Sequence, residues 1–133
     1  MEIENVINHK DTICVVGLGY VGLPLALIMG KKYRVTGFDI DKTRIDELKR
    51  GYDRTNEIDE EELRESTITL TYDEASIREA SIIIVTVPTP IDNHNIPDLG
   101  PLTKATRIIG RNLKKGSIVV YESTVYPGVT EDI

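Results

Sequence analysis

Six residues near the N-terminus carry the strongest chemical signal in the chain. Gly17-Leu18-Gly19-Tyr20-Val21-Gly22 spaces its glycines as G-x-G-x-x-G, directly after the apolar run Thr12–Val16 and at the opening of a segment with helical spacing, Val21–Gly30. That context turns a weak pattern into a dinucleotide-binding signal. Gly17 permits a tight turn, Gly19 lets a pyrophosphate approach the backbone, and Gly22 lets a helix pack closely on a strand. The helix N-terminus adds free N–H donors and partial positive charge for the phosphates. The competing reading is a plain glycine turn, which the strand–turn–helix context disfavours. Asp39 stands 17 residues past Gly22, at the end of a second apolar run, Arg34–Phe38. A carboxylate there accepts hydrogen bonds from the adenosine ribose hydroxyls of NAD and repels the 2′-phosphate of NADP. Asp41 is the better N-cap for the helix that follows. Lys42 and Arg44 could tolerate a phosphate, although each alone reads as a solvated helix residue.

Two further stretches offer hydroxyls at strand ends. Val87-Pro88-Thr89-Pro90 closes the fourth apolar run, and its prolines hold the backbone extended around Thr89. In a sheet that binds its ligand where the strand order reverses, this loop lies beside the pyrophosphate and the nicotinamide half. Tyr121-Glu122-Ser123-Thr124-Val125-Tyr126-Pro127-Gly128 closes the fifth run. Ser123 and Thr124 could hydrogen-bond cofactor, substrate or a reactive water. The alternative is a strand exit and N-cap, with Pro127 and Glu131 in the first turn of a new helix. Cys14, flanked by Ile13 and Val15, reads as a small buried hydrophobe. His9 and His94 lie in polar segments without partners at metal-ligand spacing, so no metal site is expected. The run Glu57–Glu65 reads as a solvated helix face.

The elements that must position these residues alternate along the chain. Continuous apolar runs at Thr12–Val16, Arg34–Phe38, Ile68–Leu70, Ser81–Val87 and Ser117–Tyr121 predict strands buried on both faces. Between them, helical spacing predicts helices at Val21–Gly30, at Lys42–Arg50 with Gly51 beyond its end, at Asp59–Glu65, at Glu74–Ala80 and at Pro101–Lys115. In the last, Leu102, Ala105, Ile109 and Leu113 form one stripe, with Gly116 at the exit. This alternation predicts an α/β fold: a doubly wound parallel sheet of Rossmann type, with strand order 3-2-1-4-5 and all the candidate residues on its C-terminal edge. The loop Thr86–Gly100 is long and non-periodic, which marks it as functional or mobile.

Composition narrows the rest. The chain has 133 residues, 40% hydrophobic and 29% charged, enough for one domain without disulfides or metals. Its net charge of −6 argues against nucleic acid or an anionic membrane as partner. A single cysteine precludes an intramolecular disulfide. The segment 1–11 is a polar arm without the apolar core of a signal peptide, and Val21–Gly30 is too short to span a bilayer. A cytoplasmic location is expected. The domain is expected over 12–133. A sixth strand is missing, so the chain reads as the C-terminally truncated N-terminal piece of a longer protein.

Gly-Leu-Gly-Tyr-Val-Gly-Leu-Pro from Gly17, Gly-Phe-Asp-Ile-Asp from Gly37, Val-Pro-Thr-Pro from Val87, Pro-Asp-Leu from Pro97 and the octapeptide from Tyr121 follow one another in an order and spacing that resemble the UDP-glucose/GDP-mannose dehydrogenase family. The final motif, with Glu122 and Tyr126, resembles the branch that oxidises UDP-N-acetylhexosamines for bacterial surface polysaccharides, including the Vi-antigen type. The resemblance implies oxidation of the C6 alcohol of a nucleotide sugar to a carboxylate, with two NAD⁺ consumed. It implies a catalytic cysteine, a lysine and an asparagine from a later part of the chain, and a homodimer formed through a central helix. It also implies that Gly17, Gly19 and Gly22 cradle the pyrophosphate, that Asp39 and Arg44 lie at the adenosine end and that Thr89 and Ser123 lie toward the nicotinamide, with Leu18, Tyr20, Val21, Ile40, Val87, Pro88 and Thr124 also binding the cofactor. Thr124 would position the catalytic water or substrate. A stand-alone NAD-binding regulatory module is the rival reading; it would share Gly17–Gly22 and Asp39 but has no need of the two later motifs.

Overall fold

The computed structural model describes residues 12–54, 58–89, 100–122 and 124–125. The polar arm with His9, the loop residues 90–99 with His94, Ser123 and the segment 126–133 lie outside the described residues.

Five strands form one sheet: β1 (Thr12–Val16), β2 (Arg34–Phe38), β3 (Thr69–Thr71), β4 (Ala80–Val85) and β6 (Ile118–Tyr121). They lie in the order β3-β2-β1-β4-β6 and every neighbouring pair is parallel. This is the predicted 3-2-1-4-5 arrangement. β1 is central, pairing with β2 in the register Cys14 to Thr36 and with β4 in the register Cys14 to Ile83.

The alternation of side chains along β1 divides the core in two. Ile13 and Val15 face one layer, where they meet Leu23, Ala26 and Leu27 of α1 (Gly22–Gly30) and Ile45 and Leu48 of α2 (Lys42–Lys49). Leu63, from the short α3 (Glu60–Glu65), completes that layer. Cys14 and Val16 face the other, where Ile77 of a 3-10 helix (Glu74–Glu79) and Ala105, Ile108 and Ile109 of α4 (Gly100–Asn112) cover them. Burial on both faces explains why β1 and β4 are continuous apolar runs.

Local signals set most helix ends. Asp41 caps α2, its carboxylate accepting from the Arg44 N–H at 3.2 Å, and Gly51, at φ +88°, follows the exit. Asp59 caps α3 in the same way through the Glu62 N–H at 2.8 Å.

Several boundaries and faces differ from the sequence reading. The segment expected as a helix over Glu74–Ala80 is 3-10, capped by Asp73, and Ala80 already belongs to β4. β4 ends at Val85, because Thr86 and Val87 turn away toward the glycine loop. α4 ends at Asn112, so Leu113 falls past the helix and is exposed; Ala105 and Ile109 are buried and Leu102 partly so, as expected, and Ile108 and Asn112 join the stripe. The fifth predicted strand, β6, is not buried on both faces: Ile118, Val120 and Tyr121 are exposed, because β6 is at the sheet edge among the described residues. A second, two-stranded parallel sheet pairs β5 (Pro88–Thr89) with β7 (Thr124–Val125) inside segments read as loops.

Candidate dinucleotide site

Because the sheet is parallel, the exits of β1, β2, β4 and β6 share one edge, and the candidate residues among those described collect there. Gly17 leaves β1 at φ +97°, a conformation L side chains rarely adopt, and its N–H donates to the Phe38 carbonyl at 2.9 Å. Thr86, buried at the end of β4, holds the same turn: its hydroxyl donates to the Gly17 carbonyl at 2.6 Å, with the Val16 carbonyl at 3.1 Å. A Cβ at Gly22 would stand 1.7 Å from the Gly17 carbonyl oxygen, so the close helix–strand approach expected there is real. A Cβ at Gly19 would meet nothing within 4 Å: this glycine faces open space.

Asp39 follows β2. Its Oδ2 accepts from the Leu18 N–H and its Oδ1 from the Asp41 N–H, both at 2.9 Å. The carboxylate is thus pinned against the glycine loop by backbone donors, with lone pairs left for further donors. Ile40, exposed, comes next. Arg44 is not the solvated helix residue that it reads as in isolation. It is 4% exposed, and its guanidinium lies under the loop, donating to the Leu18 carbonyl and to Asp53. No local pattern in the sequence reports this, because the burial depends on Asp53, nine residues on, and Leu18, 26 residues back.

Leu18, Asp39, Ile40 and Arg44 line one side of a cavity of about 330 Å³. The glycine loop from Gly17 to Tyr20 and the turn from Asp39 to Asp41 form its polar wall; Val16, Phe38, Val87 and the α4 residues Ala105 and Ile108 supply apolar surface. Arg54 reaches it from the connection after α2. Thr86, Asp53, Arg54 and the α4 residues carry no site pattern of their own in the sequence; the one signal for Thr86 is that it borders the Val-Pro-Thr-Pro motif. Val21 stands at the N-terminus of α1 without a side-chain cap, and the first turn carries no acidic residue to offset the partial positive charge there. The backbones of Pro88 and Thr89 run beside those of Thr124 and Val125, and the Glu122 N–H donates to the Val85 carbonyl at 2.8 Å. The two later motifs are therefore joined to each other. Cys14 is fully buried, and burial pushes its thiol up to about 12 while the neighbouring Ser76 hydroxyl acts in the opposite direction. It is a core residue and no nucleophile.

The site fits a dinucleotide: open space at Gly19 for a diphosphate, an uncapped helix N-terminus, a fixed carboxylate at the end of β2, and an apolar-walled cavity between loop and α4. Comparison with known proteins agrees. Residues 11–133 match the model of the UDP-glucose/GDP-mannose dehydrogenase family, NAD binding domain. UDP-N-acetyl-D-glucosamine 6-dehydrogenase of Pseudomonas aeruginosa is 57% identical over 121 residues, covering 90% of this chain and 29% of that protein. Protein CapL of Staphylococcus aureus is 55% identical over 120 residues, covering 90% of this chain and 28% of its own length. The structure of UDP-D-ManNAc dehydrogenase from Pyrococcus horikoshii superposes with a TM-score of 0.75 at 33% identity, over 91% of this chain and 30% of that one. The chain thus spans less than a third of the relatives it matches. It belongs to the UDP-glucose/GDP-mannose dehydrogenase family, carries that family's Rossmann-type nucleotide-binding domain, and takes NAD as its cofactor.

Proposed function

We propose that this chain is the cofactor-holding part of a nucleotide-sugar 6-dehydrogenase that oxidises the C6 alcohol of a UDP-N-acetylhexosamine to the uronate, in the cytoplasm, for polysaccharide biosynthesis. The observation that carries the reading is 57% identity to a UDP-N-acetyl-D-glucosamine 6-dehydrogenase. The joining of the Pro88–Thr89 and Thr124–Val125 segments on the nucleotide edge supports it, since a module that only sensed NAD would have no need of the second. Among the described residues, no helix is long and apolar enough to cross a membrane. In the longer enzyme a homodimer is expected, as the family resemblance implies.

When bound, NAD would supply the hydride acceptor; the part of this chain is to hold and orient it, through the Gly17–Gly22 loop and Asp39. Hydride transfer also needs a base and an alcohol within near-attack distance. Thr124 is proposed to orient substrate or water, but a threonine alone is a poor base at neutral pH. The second oxidation needs a thiolate, and the chain's one thiol, Cys14, is buried and pushed up to about 12. The chain by itself should therefore bind NAD without turning it over. Incubation with NAD and UDP-N-acetylglucosamine, followed by the absorbance of NADH, tests this: none is expected from the chain alone, and steady production is expected from the longer enzyme. There, Thr124→Ala should lower turnover more than it weakens NAD binding. NADH from the 133-residue chain, or unchanged turnover in the longer variant, would refute the assignment.

A further inference from the structure

We propose that Asp53 is a positioning residue of the NAD site: acting through Arg44, it fixes the orientation of the Leu18–Gly19 peptide and so aims the Gly19 N–H at the space for the diphosphate. The inference rests on the cofactor assignment above and extends it to a residue that does not line the cavity.

Asp53 lies in the connection between α2 and α3, its side chain 0% exposed. Both carboxylate oxygens are engaged. Oδ1 accepts from Arg44 Nη1 at 2.8 Å, and Oδ2 accepts from the Ile58 N–H at 3.0 Å. Arg44 is 5% exposed at its side chain, and its Nε and Nη2 both donate to the Leu18 carbonyl, at 2.9 and 2.6 Å. A guanidinium is a rigid planar fork. With Nη1 held by Asp53, the opposite edge is presented to one acceptor, the Leu18 carbonyl. The charge of Asp53 is also what makes this burial tenable, because an unpaired cation in such a place is strongly disfavoured.

The consequence lies one peptide further on. No peptide bond among the described residues is cis. In a trans peptide the carbonyl of one residue and the N–H of the next point in opposite directions. The Leu18 carbonyl is held on the guanidinium, so the Gly19 N–H points to the opposite side of that peptide, beside a Cα position where an added Cβ would meet nothing within 4 Å. Asp39 grips the other side of Leu18 through its N–H at 2.9 Å. With both of its peptide groups held, Leu18 cannot let the loop flip, and the donor at Gly19 is fixed before any ligand arrives. Such preorganisation is how fixed donors favour an anion.

Asp53→Asn keeps the size but has one acceptor oxygen where Arg44 Nη1 and the Ile58 N–H each occupy one, and its amide N–H₂ must oppose one of them. Calorimetric titration of the 133-residue chain with NAD and with ADP, which shares the diphosphate, reads the effect. Asp53→Asn should weaken both ligands by about tenfold or more, the scale of one misaimed charge-assisted hydrogen bond. Arg44→Lys, which loses the fork, should weaken them too, and the double variant should be no weaker than Arg44→Lys alone. A folded Asp53→Asn chain with wild-type affinity overturns the proposal, as do effects that multiply in the double variant. Leu27→Ala, a core truncation near the far end of α1 and outside the cavity lining, controls for lost stability: it should keep NAD affinity, and an equal loss there would also overturn the proposal. Should Asp53→Asn fail to fold, the wild-type chain decides by nuclear magnetic resonance. The Gly19 amide proton should move downfield on titration with NAD or inorganic pyrophosphate; a stationary Gly19 amide in a chain that binds NAD overturns the inference. A wild-type chain that binds no NAD overturns the cofactor assignment itself, and this proposal with it.

Discussion

Gly22 and Gly17 meet so closely that no side chain fits between them: a Cβ on Gly22 would stand 1.7 Å from the Gly17 carbonyl oxygen and 2.4 Å from the Thr86 hydroxyl. The first turn of α1 is thereby pressed against the turn that leaves β1, and the end of β4 is tied to both.

The glycines of the loop should accordingly separate fold from function. Gly22→Ala forces backbone to move and should cost at least about 2 kcal/mol of stability, read as a lowered urea midpoint. Gly19→Ala places its methyl in open space. It should leave the urea midpoint close to that of the wild type while weakening NAD binding in calorimetry, because the methyl occupies the side from which the diphosphate approaches. Equal stability losses in the two variants would contradict the geometry.

Asp39 holds the loop and is proposed to hold the adenosine ribose as well. Asp39→Ala should weaken NAD by about 1–3 kcal/mol through lost ribose hydrogen bonds. It should also lower stability by about 1–2 kcal/mol, since the Leu18 and Asp41 N–H groups lose their acceptor. NAD should bind the wild type more tightly than NADP, and the preference should shrink in the variant. Tighter NADP binding by the wild type would show that the carboxylate does not face the ribose.

Cys14 makes stability depend on alkaline pH. Its thiol ionises at about 12 in the folded chain against 9.0 ordinarily, because burial disfavours the thiolate. Above pH 9 the unfolded state loses this proton and the folded state keeps it, so the unfolded state binds fewer protons and stability falls as pH rises toward 12. The slope should approach ~1.4 kcal/mol per pH unit. Cys14→Ala should flatten it, and denaturant melts across that range measure both. Native Cys14 should also resist iodoacetamide until denaturant is added.

Much of this protein is written in its local sequence. The glycine spacing, the Asp41 and Asp59 caps and the runs of β1, β2 and β4 each act within one turn or strand, or through burial on both faces, and each leaves a short-range pattern. The parallel order followed from the alternation of those elements, because right-handed crossovers leave few other ways to stack them. What tertiary structure alone decided is where long-range partners meet. Arg44 looks like an exposed helix residue until Leu18 and Asp53 close around it. Thr86 is an unremarkable hydroxyl until the end of β4 brings it to the Gly17 carbonyl, 69 positions away. The pairing of Pro88–Thr89 with Thr124–Val125 needs two strand exits to run side by side, which no window of sequence spans. Local residue types set the conformation of each element, whereas a buried polar group takes whichever partner the packed chain brings within hydrogen-bond reach.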